Sequence, residues 1–292
     1  MIVVAENINI MSKNLGSAMR ERHADLIKVA ASAADRAGAD YLDLNIGPAK
    51  KSGVELMPWL VNSVQEAADR PLSLDTTNAG AIEAGLRLCK RRALINSVSL
   101  QPERLENILP LVVKYGAEMI GLLWGIEGMP RDTNERCMLA VDLVYKANEA
   151  GIKNEDIWID PIATPVSGDI KQVQASYEFL EMLPDICPGC KSIVGLSNVS
   201  NGTPAELRPY LNRTYLVMLA RYGLYAAIAD AMDGELMAIC RGEKPDIVQL
   251  IHRAMDGEEI DSSKLSAEHA GYVKTVRVLN GRALYSHSWL ES

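Results

Sequence analysis

The residues best suited to chemistry in this chain stand at the ends of short apolar runs. "LSLD" closes on Asp75, "ALIN" on Asn96 with Ser97 after it, and "IWID" on Asp160. The opening run "IVVAENIN" carries Glu6, Asn7 and Asn9, and "YLDLN" carries Asp43 and Asn45. "GLSNVS" brings Gly195, Ser197, Asn198 and Ser200, and "AAIAD" leads into Asp230. Apart from that one glycine, these are carboxylates, carboxamides and hydroxyls, with no His, Cys or Lys. A His/Asp/Glu metal site is therefore missing from the set, and so is a Ser-His-Asp triad. The four histidines (His23, His252, His269, His287) fall in helical stretches or the C-terminal segment. Carboxylates only accept hydrogen bonds, and a carboxamide offers a donor and an acceptor side by side. Together they suit a flat heterocycle with an amide face and an amino group, such as an aminopyrimidinone. A carboxylate takes the ring N–H and NH2 donors, and an asparagine amide gives to the carbonyl.

Each residue also has a plainer use. Asp75 or Asp160 can cap the helix that follows its strand, and Asp160 precedes Pro161, as turn residues often do. Asn96 can satisfy a buried backbone group, and Asn198 lies in the loop-like stretch "LSNVSNGTP". The recurrence of one residue class at several strand ends favours a shared site.

The elements that must position this set alternate along the chain. Strand candidates are 2–8, 41–45, 72–75, 93–96, 119–123, 157–160, 193–196 and 225–229. Between them, apolar residues recur at helical spacing, as in 24–37, 79–89, 104–115, 135–150 and 207–222. Gly38, Gly116 and Gly151 stop helices shortly before the next strand. Strands alternating with helices imply a parallel sheet covered by helices, and eight such units point to a closed (β/α)8 TIM barrel. An open doubly wound sheet is the alternative, but no Gly-x-Gly-x-x-Gly follows a strand. In the closed barrel, catalytic residues gather at the C-terminal strand ends, which is where the polar set falls. We read 1–256 as the barrel and 257–292 as a short C-terminal extension. In the extension, "YVKTVRVLNG" fits a strand or a short helix.

Bulk properties narrow the partners. The 292 residues carry a formal charge of −8, which disfavours nucleic acid and anionic membrane surfaces. No run approaches the ~18 apolar residues of a membrane span. "MIVVAENINI" lacks a basic start and is expected to be the first strand rather than a signal peptide. Five cysteines without a secretion signal fit free thiols in the cytoplasm. Cys187 and Cys190 form "CPGC". Zinc would need two further ligands, and none is suitably spaced. The motif sits before the seventh strand, outside any thioredoxin-like context, so free structural thiols are expected.

Several segments occur together and in order: "LDLNIGPA" (42–49), "LDTTN" (74–78), "IEAGL" (82–86), "ALINS" (93–97), "WIDPI" (158–162), "GLSNVS" (195–200) and "RPYLNRTYL" (208–216). With them the chain resembles the pterin-binding methyltetrahydrofolate:corrinoid protein methyltransferases, over about residues 1–240. That group includes the acetogenic corrinoid/iron–sulfur protein methyltransferase and its O-demethylase and betaine-pathway relatives. The resemblance implies a pterin-binding TIM barrel in which Asp75, Asn96 and Asp160 hold the pterin ring. Asn198 would hydrogen-bond near N5, Gly195 and Ser197 would line the pocket, and Arg208 would match the family arginine near the folate. Glu6 matches a strand-one polar residue less closely. The loop 201–207 departs from the family pattern. The substrate implied is 5-methyltetrahydrofolate or tetrahydrofolate. The cobalamin (corrinoid) would be supplied by a transient partner protein, since no Asp-x-His-x-x-Gly surrounds any histidine. A homodimer without a tightly bound metal is also implied.

The expected reaction moves a methyl group between N5 and cobalt, in either direction, with N5 protonated and with Asn198 and Asp160 as the catalytic pair. A dihydropteroate synthase-like enzyme is a rival reading, but "AAIADAMD" at strand eight lacks the Ser-x-Arg such enzymes use for pyrophosphate. A non-catalytic folate-binding protein is the other.

Overall fold

A computed structural model describes residues 1–291. The strands are β1 (Ile2–Asn9), β2 (Tyr41–Asn45), β3 (Leu72–Asp75), β4 (Leu94–Ser99), β5 (Glu118–Leu122), β6 (Ile157–Asp160), β7 (Lys191–Gly195) and β8 (Ala226–Ala229). Each pairs in parallel with the next, and β8 closes on β1. The helices are α1 (Lys13–Glu21), α2 (Ala24–Ala37), α3 (Gly53–Gln65), α4 (Ala79–Leu86), α5 (Pro102–Tyr115), α6 (Thr133–Glu149), α7 (Ile170–Ile186), α8 (Arg208–Arg221), α9 (Gly234–Cys240), α10 (Pro245–Met255) and α11 (Ala267–Leu279). The TIM barrel expected from the alternation is the observed fold.

The period of two along each strand builds the lumen. Val4, Leu94, Ile120, Trp158, Ile193 and Ala226 meet inside the barrel as a core separate from the larger one between sheet and helices. Two residues further along the same strands, on the same face, stand Glu6, Asn96, Asp160 and Gly195. Asp75 pairs in register with both Asn45 and Asn96, which adds the Asn45 amide and the Asp75 carboxyl to that upper layer, with Asp43 one step below, in register with Ser73. Thus the apolar plug fixes the height of the polar ring above it.

Strands β2, β3 and β6 begin and end where the sequence places them. Strand β4 runs on past Asn96 to Ser99, with its register to β5 slipping between Ile95 and Val98. The slip lets the ladder continue beyond an irregular stretch that reads as a strand end. Strand β7 stops one residue short of the expected Leu196, because Leu196–Ser200 coils into a 3-10 turn. In the extension, "YVKTVRVLNG" is helical: it belongs to α11, capped by Ser266 accepting from the His269 N–H at 3.1 Å. Its Tyr272, Val273, Val276 and Leu279 are buried at helical spacing, and α11 packs on α8 and α10. Among the described residues no helix is long and apolar enough to cross a membrane.

Candidate functional site

The β2–β4 side of the mouth holds two facing carboxyls. Asp43 is buried and accepts from Ser73 Oγ at 2.6 Å and Asn96 Nδ2 at 3.2 Å. Asn45 Nδ2 donates to Asp75. Burial, then the charge of Asp75, pushes the Asp43 carboxyl well above the usual range. Burial likewise raises Asp75 to about 6, against the opposing pull of the Asn45 amide and the Arg104 charge. Two carboxyls this close cannot both ionise cheaply, so one proton is shared between them near neutrality. Arg104 donates to Thr77 O at 2.8 Å and to Ser97 O, tying β3 to β4 rather than pairing with a carboxylate. A cavity of about 790 Å³ opens here, lined by Asp75, Thr76, Asn96, Ser97, Arg104 and Trp124.

A second wall is built by β1, β7 and β8. Ser197 Oγ donates to Glu6 Oε2 at 3.0 Å. Burial pushes Glu6 up to about 7; the Ser197 bond and Arg208 oppose this, while Asp230 and Asp43 add to it. Arg208 Nε donates to Ser200 Oγ at 3.1 Å, and that hydroxyl donates to Ser197 O at 3.1 Å. The 3-10 turn thus sends Ser197 inward and leaves Asn198 exposed. Gly195 leaves room for it: a Cβ there would lie 2.9 Å from Asn198 Nδ2. Asn201 Nδ2 donates to Asn198 Oδ1 at 3.3 Å. At β8, Asn7 Nδ2 donates to Asp230 Oδ1 at 2.6 Å.

Asp160 is buried, and burial raises it to about 7. Its Oδ1 accepts from the Ile162 N–H at 2.8 Å, so the turn role open to an Asp before Pro161 is real. Neither Asp75 nor Asp160 caps a helix; Asn78 caps α4 and Asp169 caps α7.

The structure therefore brings Asp75 and Asn96 together on the cavity, and Glu6, Ser197 and Arg208 together through the β7 turn. The cavity lining does not extend to Glu6, Asp160, Gly195, Ser197, Asn198 or Arg208. Arg104 went unread in the sequence. A cation in the first turn of the helix after β4 was the available signal.

The sequence pattern described as "Pterin binding enzyme" matches residues 8–230. The chain belongs to this pterin-binding family. It is similar to a methylcorrinoid:tetrahydrofolate methyltransferase of Eubacterium limosum, 27% identical over 239 residues, covering 81% of this chain and 88% of that protein. It is also similar to methionine synthase of Mycobacterium tuberculosis, 29% identical over 206 residues, which is 67% of this chain but 17% of that one. Among solved structures, dihydropteroate synthase of Thermus thermophilus in complex with 6HMPPP superposes with a TM-score of 0.59 at 19% identity, over 84% of this chain and 93% of that one. The Xanthomonas albilineans synthase with 7,8-dihydropteroate gives 0.60 at 17%, over 83% and 93%. At these identities the two synthases share the fold of this pterin-binding chain.

Proposed function

We propose that this chain moves a methyl group between N5 of tetrahydrofolate and the cobalt of a corrinoid carried by a partner protein. The observation that carries this reading is the β7 turn. It exposes Asn198 beside the Glu6–Ser197 bond, in a chain that covers 88% of a methylcorrinoid:tetrahydrofolate methyltransferase. In this reading Asp75 accepts from the pterin's donor edge, and Asn96 and Asp160 complete the ring's seat.

The chemistry sets the demands. A tertiary amine is a poor leaving group, so N5 must gain a proton as its bond to the methyl carbon breaks. Co(I) attacks that carbon in line, and the C–N electron pair stays on nitrogen. Asn198 cannot supply a proton, but its Oδ1 can accept from N5–H and so favour the protonated nitrogen. Glu6 and Asp160, both holding protons near neutrality, are the groups able to feed it. Arg208 acts through Ser200, fixing the turn rather than touching the pterin. The reverse transfer uses the same groups.

A dihydropteroate synthase reading fits less well. The end of β8 presents Asp230, and a carboxylate repels a pyrophosphate leaving group. The proposal includes a cytoplasmic homodimer that meets its corrinoid partner transiently.

The test is anaerobic mixing of the pure protein with cob(I)alamin and 5-methyltetrahydrofolate. Loss of Co(I) absorbance with growth of methylcobalamin is the expected result. Intact folate binding with no transfer, to cob(I)alamin or to corrinoid proteins, would leave a folate binder. Absence of binding would sink the pterin site itself.

A further inference from the structure

At the opposite end of the barrel, the "CPGC" loop between α7 and β7 plays no part in the proposed reaction. Its backbone is a closed turn: the Cys190 N–H donates to Cys187 O at 3.1 Å. Pro188 and Gly189 occupy the two central positions, and Gly189 has a φ of +84°, the arrangement of a type II turn. The turn is pinned from outside. Asn154 Nδ2 donates to Pro188 O at 2.7 Å, and Asn148 Nδ2 donates to Asn154 Oδ1 at 2.9 Å. The Cys187 N–H closes the end of α7 on Leu183 O at 2.9 Å.

A β-turn holds its first and last Cα atoms within ~7 Å, and a disulfide spans Cα separations of roughly 4.4–6.8 Å. The fold therefore prepositions the two sulfurs. They already interact: Cys190 holds the Cys187 thiol below the usual range, while Cys187 raises that of Cys190. Opposite shifts of two neighbouring thiols are the pattern of reactive dithiols. Cys187 is buried and Cys190 half-buried, so only the second meets solvent. A metal does not explain the pair. Among the described residues no group of three or more His, Cys, Asp or Glu is arranged to hold one.

We propose that Cys187 and Cys190 are a reversible dithiol/disulfide site whose oxidant is a low-molecular-weight disulfide. Cys187 takes up the Cys190 proton as the more exposed Cys190 Sγ attacks one sulfur of that disulfide, and the other half leaves as a thiolate. Cys187 then gives that proton to the departed thiolate, attacks Cys190 Sγ of the mixed disulfide and expels the second half. Two protein thiols lose their hydrogens, one protein S–S bond forms, and the external disulfide becomes two thiols. The bond staples the end of α7 to the start of β7.

The test uses the full chain equilibrated with oxidised glutathione and then mapped by mass spectrometry after alkylation. The expected product has lost two hydrogens, carries a Cys187–Cys190 crosslink and reverts in dithiothreitol. Cys187→Ser, lacking the resolving thiol, should instead accumulate a glutathione adduct at Cys190. The reduced wild type and the variant are compared by circular dichroism to confirm folding. A stable wild-type adduct, a crosslink between Cys187 and Cys137 on α6, or five thiols that all alkylate after oxidation would each overturn the proposal. The wild-type mapping decides the matter even if the variant does not fold.

Discussion

The two ends of this barrel treat a buried carboxylate in opposite ways. At the N-terminal end, Glu118 is satisfied from three sides: Lys191 Nζ at 2.7 Å, Tyr41 OH at 2.9 Å and Trp158 Nε1 at 3.1 Å. Lys191 also lies over the Trp158 ring, 4.9 Å from its centre, and Tyr41 and Tyr225 meet that ring edge-on. At the C-terminal end, three cations around the mouth carboxyls bond to neutral oxygens instead. Arg104 takes backbone carbonyls, Arg208 takes Ser200, and Arg136 takes Pro161 O and Gln172. The carboxyls there are left with amides, hydroxyls and burial, and their proton affinities rise. One end is closed as structure. In the proposed function the other awaits a ligand whose donors the carboxyls lack, at a cost in stability of the kind binding sites carry.

The largest effect that would expose this contrast is Glu118→Ala. Removing Glu118, the buried member of the pair, leaves the half-buried Lys191 over aromatic rings and should cost roughly 3 kcal/mol, the low end for breaking such a pair because Lys191 keeps some contact with water. Chemical denaturation should read that loss, with folate binding intact under conditions where the variant stays folded. An unchanged midpoint would mean that the base is not the satisfied structure described here.

At the mouth the counterpart is Asn198→Ala. In the proposed reaction it removes an acceptor used as N5 gains its proton, so turnover should fall about 100-fold, while 5-methyltetrahydrofolate affinity, read by fluorescence titration, hardly moves. Equal losses in both would make Asn198 a binding residue only. Gly195→Ala should mimic part of the effect, because its methyl would crowd the Asn198 amide.

Stability against pH sharpens the comparison further. Asp75 rises to about 6, and Glu6 and Asp160 to about 7. A carboxyl raised by folding favours the folded state fully below its unfolded value, near pH 4. That contribution is lost as pH climbs through the folded value. The ligand-free protein should therefore melt lower at pH 8 than at pH 5.5, by several degrees. Asp160→Asn should flatten the slope. A melting temperature that rises over this interval in the wild type and is unaltered by the substitution would show that the mouth carboxyls are not strained.

Much of this was legible because the barrel writes its geometry in short periods. The runs ending at Asn45, Asp75 and Asp160 are pure strand, so their ends could be read to the residue. Where the backbone departs from the ladder, as at the β4 slip and the β7 3-10 turn, alternation carries no signal and the boundaries moved. The polar ring was legible by residue type and by resemblance. Its wiring was not, because Ser197 to Glu6 and Asn45 to Asp75 join residues distant in sequence and adjacent only after closure. The Glu118 site was equally hidden. Tyr41, Glu118, Trp158 and Lys191 each stand at or beside a strand start, where a polar residue reads as a loop.

The smallest expected change separates the two proton sources. Glu6→Gln keeps a group able to accept from Ser197 Oγ, so the turn should hold, and the loss of a strained carboxylate should add on the order of 1 kcal/mol of stability at pH 8. If Glu6 feeds the proton to N5, wild-type transfer to cob(I)alamin should slow as pH rises through about 7, since the acid must still hold its proton. In Glu6→Gln that limb should vanish, with turnover at pH 6 down about tenfold, less than the ~100-fold minimum usual for a general acid because water partly replaces it. If the limb survives in Glu6→Gln and disappears in Asp160→Asn, the proton travels by way of β6. The Glu6–Ser197 bond would then be a brace for Asn198, making that part of the mouth as structural as the base.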